Sequence, residues 1–354
     1  MARVSAVPVE VLLSKRVQEM VLNGEEPPPP YVSRDDEPAQ HDPDAFCSHV
    51  PLIDFGLLSS PSTDEQKQQE LEKLGSALSA WGCFQAINHG IPSSVLDEIR
   101  QVAREFFEQP MEQKCKISKG LKEFEGYGAD PVPEQGQSLD WSDRLFLDVY
   151  PPERKKFKLW PENPPSFRGV LEEYTVEMRK LTERISRVMA KSLNLEENCF
   201  LNQFGEGALL QARFNYYSPC QRPDLILGLK PHADGSGYTL ILQDDVEGLQ
   251  IHHHGNWFTV PTIPHALVVL MADQMEIMTN GVFRSPVHRV LTNSERERIS
   301  IAMFYTPEPD KEIGPEDGLV NEKQPKLYKK MKGYADTHWE YYQRGMRAIH
   351  IAKV

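Results

Sequence analysis

Pro231-His232-Ala233-Asp234-Gly235 offers an imidazole and a carboxylate two residues apart. In extended backbone, side chains repeat their direction every two residues, so His232 and Asp234 would share a face. They read as two ligands of one metal. A third must come from elsewhere, and His288, in Ser285-Pro286-Val287-His288-Arg289-Val290, is the best candidate. Two imidazoles and one carboxylate on one side of a metal, with the other side open, form a donor set suited to Fe(II). Further on stands Arg298-Ile299-Ser300. If that stretch is extended, Arg298 and Ser300 share a face and can hold a carboxylate by ion pair and hydroxyl hydrogen bond.

Charge counting joins these pieces. Fe(II) with one carboxylate and two neutral histidines carries about +1. A chelating dianion brings the site to about −1, and Arg298 then neutralises it. The site thus suits a dicarboxylate with one end on the metal and the other on Arg298. Each piece alone is weak, since a lone H-x-D is more often a turn with a satisfied histidine. The ordered set of H-x-D, H-R-V and R-x-S among short alternating strands is far more specific.

These residues need a scaffold, and the chain has the length for one. Its 354 residues suit one large domain, or a core with a substantial partner segment. A formal net charge of −13 argues against a nucleic-acid or anionic-membrane surface. The five cysteines, Cys47, Cys83, Cys115, Cys199 and Cys220, are widely spaced without a C-x-x-C, which points to a reducing compartment. No signal peptide or membrane span is visible, so the cytoplasm is the default location. A monomer binding a small molecule, with no nucleic-acid or membrane partner, is expected.

The apolar spacing predicts a helix from Val9 to Leu22, then a proline-rich arm through Glu25–Pro30 and His41–Phe46. Val50–Phe55 reads as a strand. Ser62-Thr63-Asp64-Glu65 starts a helix that runs to Ala80. Trp81–Gly90 reads as a strand and turn, and Ser93–Gln109 as a helix. Gly126-Tyr127-Gly128 and Asp130-Pro131-Val132-Pro133 mark an irregular stretch of the kind that carries specificity. Phe167–Leu195 is the clearest helix. From about Ala208 the period changes from helix to strand. Arg213, Asn215 and Tyr217 share a face of one strand, and a hairpin spans 249–260. The many short strands predict a sandwich or jelly roll. Lys326–Arg347 is expected to be helical, either as a packed cover or as a lid over the site. Two tempting histidine features take structural readings: His89 closes a strand, and His252-His253-His254 precedes the turn signal Gly255-Asn256.

The ordered motifs resemble those of the plant Fe(II)/2-oxoglutarate-dependent dioxygenases, from about Val50 to Pro307. This family includes enzymes like anthocyanidin synthase, flavonol synthase and morphinan demethylase, and the norcoclaurine-synthase-like group. Asn215-Tyr216-Tyr217-Ser218-Pro219-Cys220 resembles the family's N-Y-Y-P-P-C strand, and Val50–Asp54 with Trp81–Ile91 its N-terminal region. The resemblance implies a mixed α and β fold, a double-stranded β-helix (jelly roll) core with packed helices and an N-terminal α/β region. It divides the chain into an N-terminal helix and arm (1–49), a largely helical region (50–207), the jelly-roll core (208–307) and a C-terminal helical cover (308–354). It implies Fe(II) on His232, Asp234 and His288, and 2-oxoglutarate on Arg298 and Ser300 with Tyr217 and Asn215 assisting. It further implies dioxygen as the oxidant and ascorbate as the reductant, with succinate and carbon dioxide expected to be released as a small plant specialised metabolite or hormone is hydroxylated, demethylated, desaturated or ring-closed. Arg213, Tyr127 and Phe304 are the expected substrate contacts, each with packing or a structural ion pair as the alternative.

Ala233, Cys83, Ser218 and Ala272 depart from the family's usual residues, and none is an expected ligand. Ala233 bears on the pocket beside the iron. Two other readings remain open at this point. One is an iron and ascorbate oxidase resembling aminocyclopropane-carboxylate oxidase, against which the long N-terminal arm argues. The other is a non-catalytic binding relative, which the intact ligand set disfavours.

Overall fold

The computed structural model describes residues 9–33, 50–59, 62–120, 123–130 and 137–354. The arm residues 41–46, Cys47 and 131–133 lie outside them. In the N-terminal part, α1 (Val9–Ser14) and α2 (Val17–Leu22) precede β1 (Leu52–Asp54), α3 (Asp64–Ala80) and β2 (Cys83–Ile87). Next come α4 (Ser93–Phe107), α5 (Met111–Cys115), β3 (Gly126–Gly128), β4 (Asp143–Tyr150), α6 (Phe167–Ser192) and α7 (Cys199–Phe204). The strand-rich part holds β5 (Leu209–Tyr217), β6 (Leu227–His232), β7 (Tyr238–Gln243), β8 (Leu249–His253), β9 (Asn256–Thr259) and β10 (Leu267–Met271). It ends with α8 (Asp273–Met278), β11 (His288–Leu291), β12 (Arg298–Thr306) and, after a long connection, α9 (Tyr334–Gln343).

Two sheets form the sandwich. The larger runs β1-β2-β10-β7-β12-β5-β4-β3 and the smaller β6-β11-β8-β9. The larger sheet therefore draws strands from both sides of residue 207, and the 50–207 and 208–307 segments share one sheet.

Period-two alternation gives this sheet two unlike faces. Leu210, Ala212 and Phe214 of β5, Leu240 and Leu242 of β7, and Ile299, Ile301 and Met303 of β12 enter a core shared with the helices. The covering helices bring Leu74 and Leu78 of α3, Ile99 and Phe106 of α4, and Leu171, Met178 and Ile185 of α6. Each of the leucine, isoleucine, methionine and phenylalanine side chains contributes about 1.5–3 kcal/mol when fully buried. The intervening residues of the same strands face the smaller sheet. There Tyr217, Ile241 and Ala302 meet Leu229, Leu249, Ile251 and Val290.

Local signals explain several boundaries. Thr63 caps α3: its hydroxyl accepts from the Gln66 N–H, and the Gln66 side chain accepts from the Thr63 N–H. The 249–260 hairpin and the α6 helix form where expected, α6 ending at Ser192.

Three segments differ from expectation. Residues 9–22 form two helices because Arg16 is extended (φ −82°, ψ 146°), and the Gln18 N–H that opens the second is capped by the Asp143 carboxylate. The predicted 326–347 helix is helical only over α9. Before it, Met331 bridges to Ile313 and Tyr328 to Lys353, and left-handed Gly333 (φ +60°) sets the helix start. Gly126-Tyr127-Gly128 is an ordered strand, with Tyr127 paired to Leu145. Gly126 has φ +111°, and a Cβ there would stand 2.8 Å from the Ile117 carbonyl oxygen. Just past Pro30, Tyr31 is buried with its ring edge-on to Trp141 at 5.0 Å, which anchors this part of the chain.

Tyr127 itself is fully buried against Phe106 and Phe107, with its hydroxyl 3.4 Å from Gln18 Oε1. Tyr127→Ala is expected to lower the unfolding free energy by about 3–5 kcal/mol. Tyr127→Phe should cost about 1 kcal/mol or less, because the hydroxyl contact is long. Urea titration of the two variants measures both.

Candidate metal centre and pocket

The register between β6 and β11 makes the site. It sets His288 directly opposite His232. β6 ends at His232, and the chain turns through Ala233 to Asp234, whose carbonyl oxygen accepts from the Asp273 N–H at 3.0 Å. His232 Nε2 lies 3.4 Å and His288 Nε2 3.7 Å from the same oxygen, Asp234 Oδ1. The three ligand atoms lie within 4.8 Å of one another. Octahedral cis ligands at about 2.1 Å from a metal stand about 3 Å apart, so a small inward movement would satisfy one ion.

The surroundings prepare each donor. His232 Nδ1 donates to the Lys230 carbonyl at 2.9 Å and His288 Nδ1 faces the Pro286 carbonyl at 3.4 Å, which leaves both Nε2 lone pairs free. Burial, followed by the neighbouring His232, pushes His288 down to about 4, so it is neutral at ordinary pH. Burial opposes ionisation of Asp234. His288, His232 and Thr239 outweigh it and hold the carboxyl below the usual carboxylate range. Thr239 Oγ1 donates to Asp234 Oδ2 at 2.6 Å, leaving Oδ1 for a metal.

Arg298 and Ser300 lie on β12, opposite Tyr217 and Asn215 of β5. Arg298 is almost fully buried; its Nε donates to the Val246 carbonyl and its Nη2 to Gln243 Oε1, both neutral acceptors. Its Nη1 is buried without a partner. A buried guanidinium in this state calls for an anion. Tyr217 places its ring 5.2 Å from the guanidinium carbon. Asn215 is engaged on both sides: it donates to Ser300 Oγ at 3.3 Å and accepts from Arg213 Nε at 2.6 Å. It thereby ties the Arg298 end of the site to the pocket.

A cavity of about 810 Å³ opens from His232 and Asp234 toward the surface. Arg213 and Phe304 line it; Tyr127 does not, being held in the helix-covered core. This corrects the expectation for Tyr127, whose strand turns it toward α4. Arg213 is also a structural ion-pair partner, bidentate with Asp130 at 2.9 and 3.2 Å. Asp130 bonds Arg144 as well, at 2.7 Å, and Arg144 Nη2 is buried and unpartnered. Burial opposes ionisation of Asp130, but the two arginines hold its carboxyl far below the usual range. Phe146 stacks with Phe304 at 6.1 Å.

Sequence reasoning placed Asp130 only within a stretch of the kind that carries specificity and missed Arg144, Phe146, His338, Trp339 and Tyr342, all of which line the cavity. The alternation of β4 carried a signal for Arg144 and Phe146, since they stand opposite Asn215 and Arg213. His89 and His253 are structural: His89 holds the His265 carbonyl and the Ile91 N–H, and His253 stacks on Trp81.

Residues 209–307 match the family model of the 2OG-Fe(II) oxygenase superfamily, and residues 50–165 match that of the non-haem dioxygenase in morphine synthesis N-terminal region. Jasmonate-induced oxygenase 2 of Arabidopsis thaliana is 42% identical over 290 residues, 80% of this chain and 77% of that protein. Codeine O-demethylase of Papaver somniferum is 41% identical over 282 residues, 79% of this chain and 78% of its own. The crystal structure of JOX2 in complex with 2OG, Fe and JA superposes with a TM-score of 0.86 at 35% identity, covering 96% of this chain and 98% of that one. The chain belongs to the 2-oxoglutarate- and Fe(II)-dependent oxygenase superfamily. It is a dioxygenase using Fe(II) and 2-oxoglutarate and releasing succinate and carbon dioxide, and its relatives are plant oxygenases that act on hormones and specialised metabolites.

Asp234→Ala is expected to abolish stoichiometric Fe(II) binding under nitrogen. Thr239→Val, which removes only the hydrogen bond to Oδ2, should weaken Fe(II) binding about tenfold. Equilibrium titration of the metal-free proteins reads both.

Proposed function

We propose that His232, Asp234 and His288 hold the catalytic iron, that Arg298 and Ser300 hold the far carboxylate of 2-oxoglutarate, and that the substrate is a small acidic metabolite. The observation that carries the first two roles is the pairing of a three-ligand cluster with a buried guanidinium that lacks an anion. With iron and dioxygen present, the bound groups supply oxidative decarboxylation of the co-substrate coupled to oxidation of the substrate.

The chain's own residues bind, orient and exclude water. Arg298 supplies the charge for the distal carboxylate, and Ser300 and Tyr217 flank it. Asn215 holds Ser300 and Arg213 in fixed relation. On the cavity side, Phe146 and Phe304 give an apolar wall beside the metal cluster. Arg144 and Arg213 share the single carboxylate of Asp130, which leaves one positive charge in that wall uncompensated. Of the other acids that line the cavity, Asp148 pairs with Arg154, and Glu125 with Lys156. A substrate carboxylate would balance the surplus and reach Arg144 or Arg213. JOX2, whose crystal structure carries JA, is similar over nearly the whole chain and lends support to an acidic substrate.

The described cysteines are free, in keeping with a reducing compartment such as the cytoplasm. Among the described residues, no helix is long and apolar enough to cross a membrane.

The test is succinate release with Fe(II), 2-oxoglutarate, ascorbate and air, with and without a panel of metabolite acids and their methyl esters. Arg298→Ala should raise the KM for 2-oxoglutarate at least about tenfold, the loss of a charge-assisted hydrogen bond. Acids should stimulate turnover more than their esters do. Equal or better use of the esters would overturn the acidic-substrate reading and leave the co-substrate reading standing.

A further inference from the structure

The family-matched core ends at residue 307, yet the chain beyond it reaches back to the metal cluster. On α9, Tyr334, His338 and Tyr342 recur every four residues and so share a face. That face lies on the turn that joins His232 to Asp234. His338 Nε2 donates to the carbonyl oxygen of Ala233, the residue between the two ligands, at 2.8 Å. Ala233 is buried and lies past the end of β6, where the strand ladder no longer serves its carbonyl. The His338 ring also fills the space over Gly235: a Cβ built there would lie 2.3 Å from His338 Cγ.

Two neighbours on the same face reinforce the contact. The Tyr342 ring meets His232 edge-on at 5.6 Å between centroids and lies 5.1 Å from Lys230 Nζ. The Tyr334 hydroxyl donates to Asp273 Oδ2 at 2.8 Å, and the Asp273 N–H in turn donates to the Asp234 carbonyl. The turn is thus gripped at consecutive residues, Ala233 directly and Asp234 through Asp273.

We propose that His338 is a positioning residue for the metal centre: its hydrogen bond to Ala233 holds the 233–235 turn so that His232 Nε2 and Asp234 Oδ1 converge. Extended backbone alone would aim the two side chains along one face, but β6 stops at His232 and the next residues turn. Something outside the strand must therefore set their direction. His338 does this from a helix whose Trp339 and Tyr342 also wall the cavity, so the metal turn and the substrate wall share one support. The inference rests on His232, Asp234 and His288 as the iron ligands.

The test compares wild type, His338→Phe, His338→Gln and Asp234→Ala. Phenylalanine keeps a ring over Gly235 without a donor. Glutamine places an amide N–H near the position of Nε2. Fe(II) affinity is measured under nitrogen, and 2-oxoglutarate is then added to follow the charge-transfer band of the Fe(II)–co-substrate complex. His338→Phe should bind Fe(II) about tenfold or more weakly, the usual effect of losing a partner that orients ligands, with a shifted band. His338→Gln should recover most of the affinity. Thermal midpoints without metal check folding, and His338→Leu replaces the phenylalanine variant if that ring is too large.

Wild-type Fe(II) affinity in the donor-less variant, with only the substrate KM altered, would make His338 a pocket wall and overturn the proposal. So would a glutamine variant no better than the phenylalanine one. Retention of Fe(II) by Asp234→Ala would instead sink the ligand assignment itself, so the two failures are distinguishable.

Discussion

The pairing of β12 with β5 and β7 is the constraint on which the rest depends. A strand has two faces, and here they are given opposite tasks. Leu210, Phe214, Leu240, Ile299 and Met303 bind the sheet to its helices. Arg213, Asn215 and Tyr217 stand across the ladder from Ala302, Ser300 and Arg298 on the other face. A slip of one residue in that register would exchange the faces, driving a guanidinium into the helix-covered core and exposing isoleucines to the site. The apolar packing that stabilises the protein therefore also fixes its chemistry. The β6–β11 register does the same for the smaller sheet by setting His232 against His288.

The β5 and β12 strands hold buried guanidiniums in two different electrostatic states. Arg213 is bound bidentate to Asp130 and is positioned whether or not a ligand is present. Arg298 has only neutral acceptors and one open Nη1. The first arrangement gives shape, because a paired arginine cannot easily reorient. The second gives appetite for an anion, because desolvation of a charge is offset only when its partner arrives. Asn215 lies between them and transmits position from one to the other without carrying charge.

The clustering of His232, Asp234 and His288 was legible because it depends on residue type and short spacing. H-x-D, the later histidine and R-x-S are each local, and strand position aims His288, Arg298 and Ser300, while Asp234 stands past the end of β6. What was not legible depends on distant packing. Asp130 becomes important only because two arginines from separate strands converge on it. His338 matters because a helix more than a hundred residues downstream folds back on Ala233. Tyr127 stood in a glycine-flanked stretch that looked like a loop, but pairing with Leu145 turned its ring into the core. The 9–22 segment had one continuous apolar pattern, yet a cap offered by Asp143 split it. In each case a tertiary contact overrode a local preference.

The open valence of Arg298 also links folding to metabolism. An anion that binds only the folded chain stabilises it by RT ln(1 + [L]/Kd), about 2.7 kcal/mol at a hundredfold excess over Kd. For a protein of ordinary marginal stability that is a substantial fraction of the total. If the proposed role of Arg298 holds, the folded chain is harder to unfold when 2-oxoglutarate is bound than when it is absent.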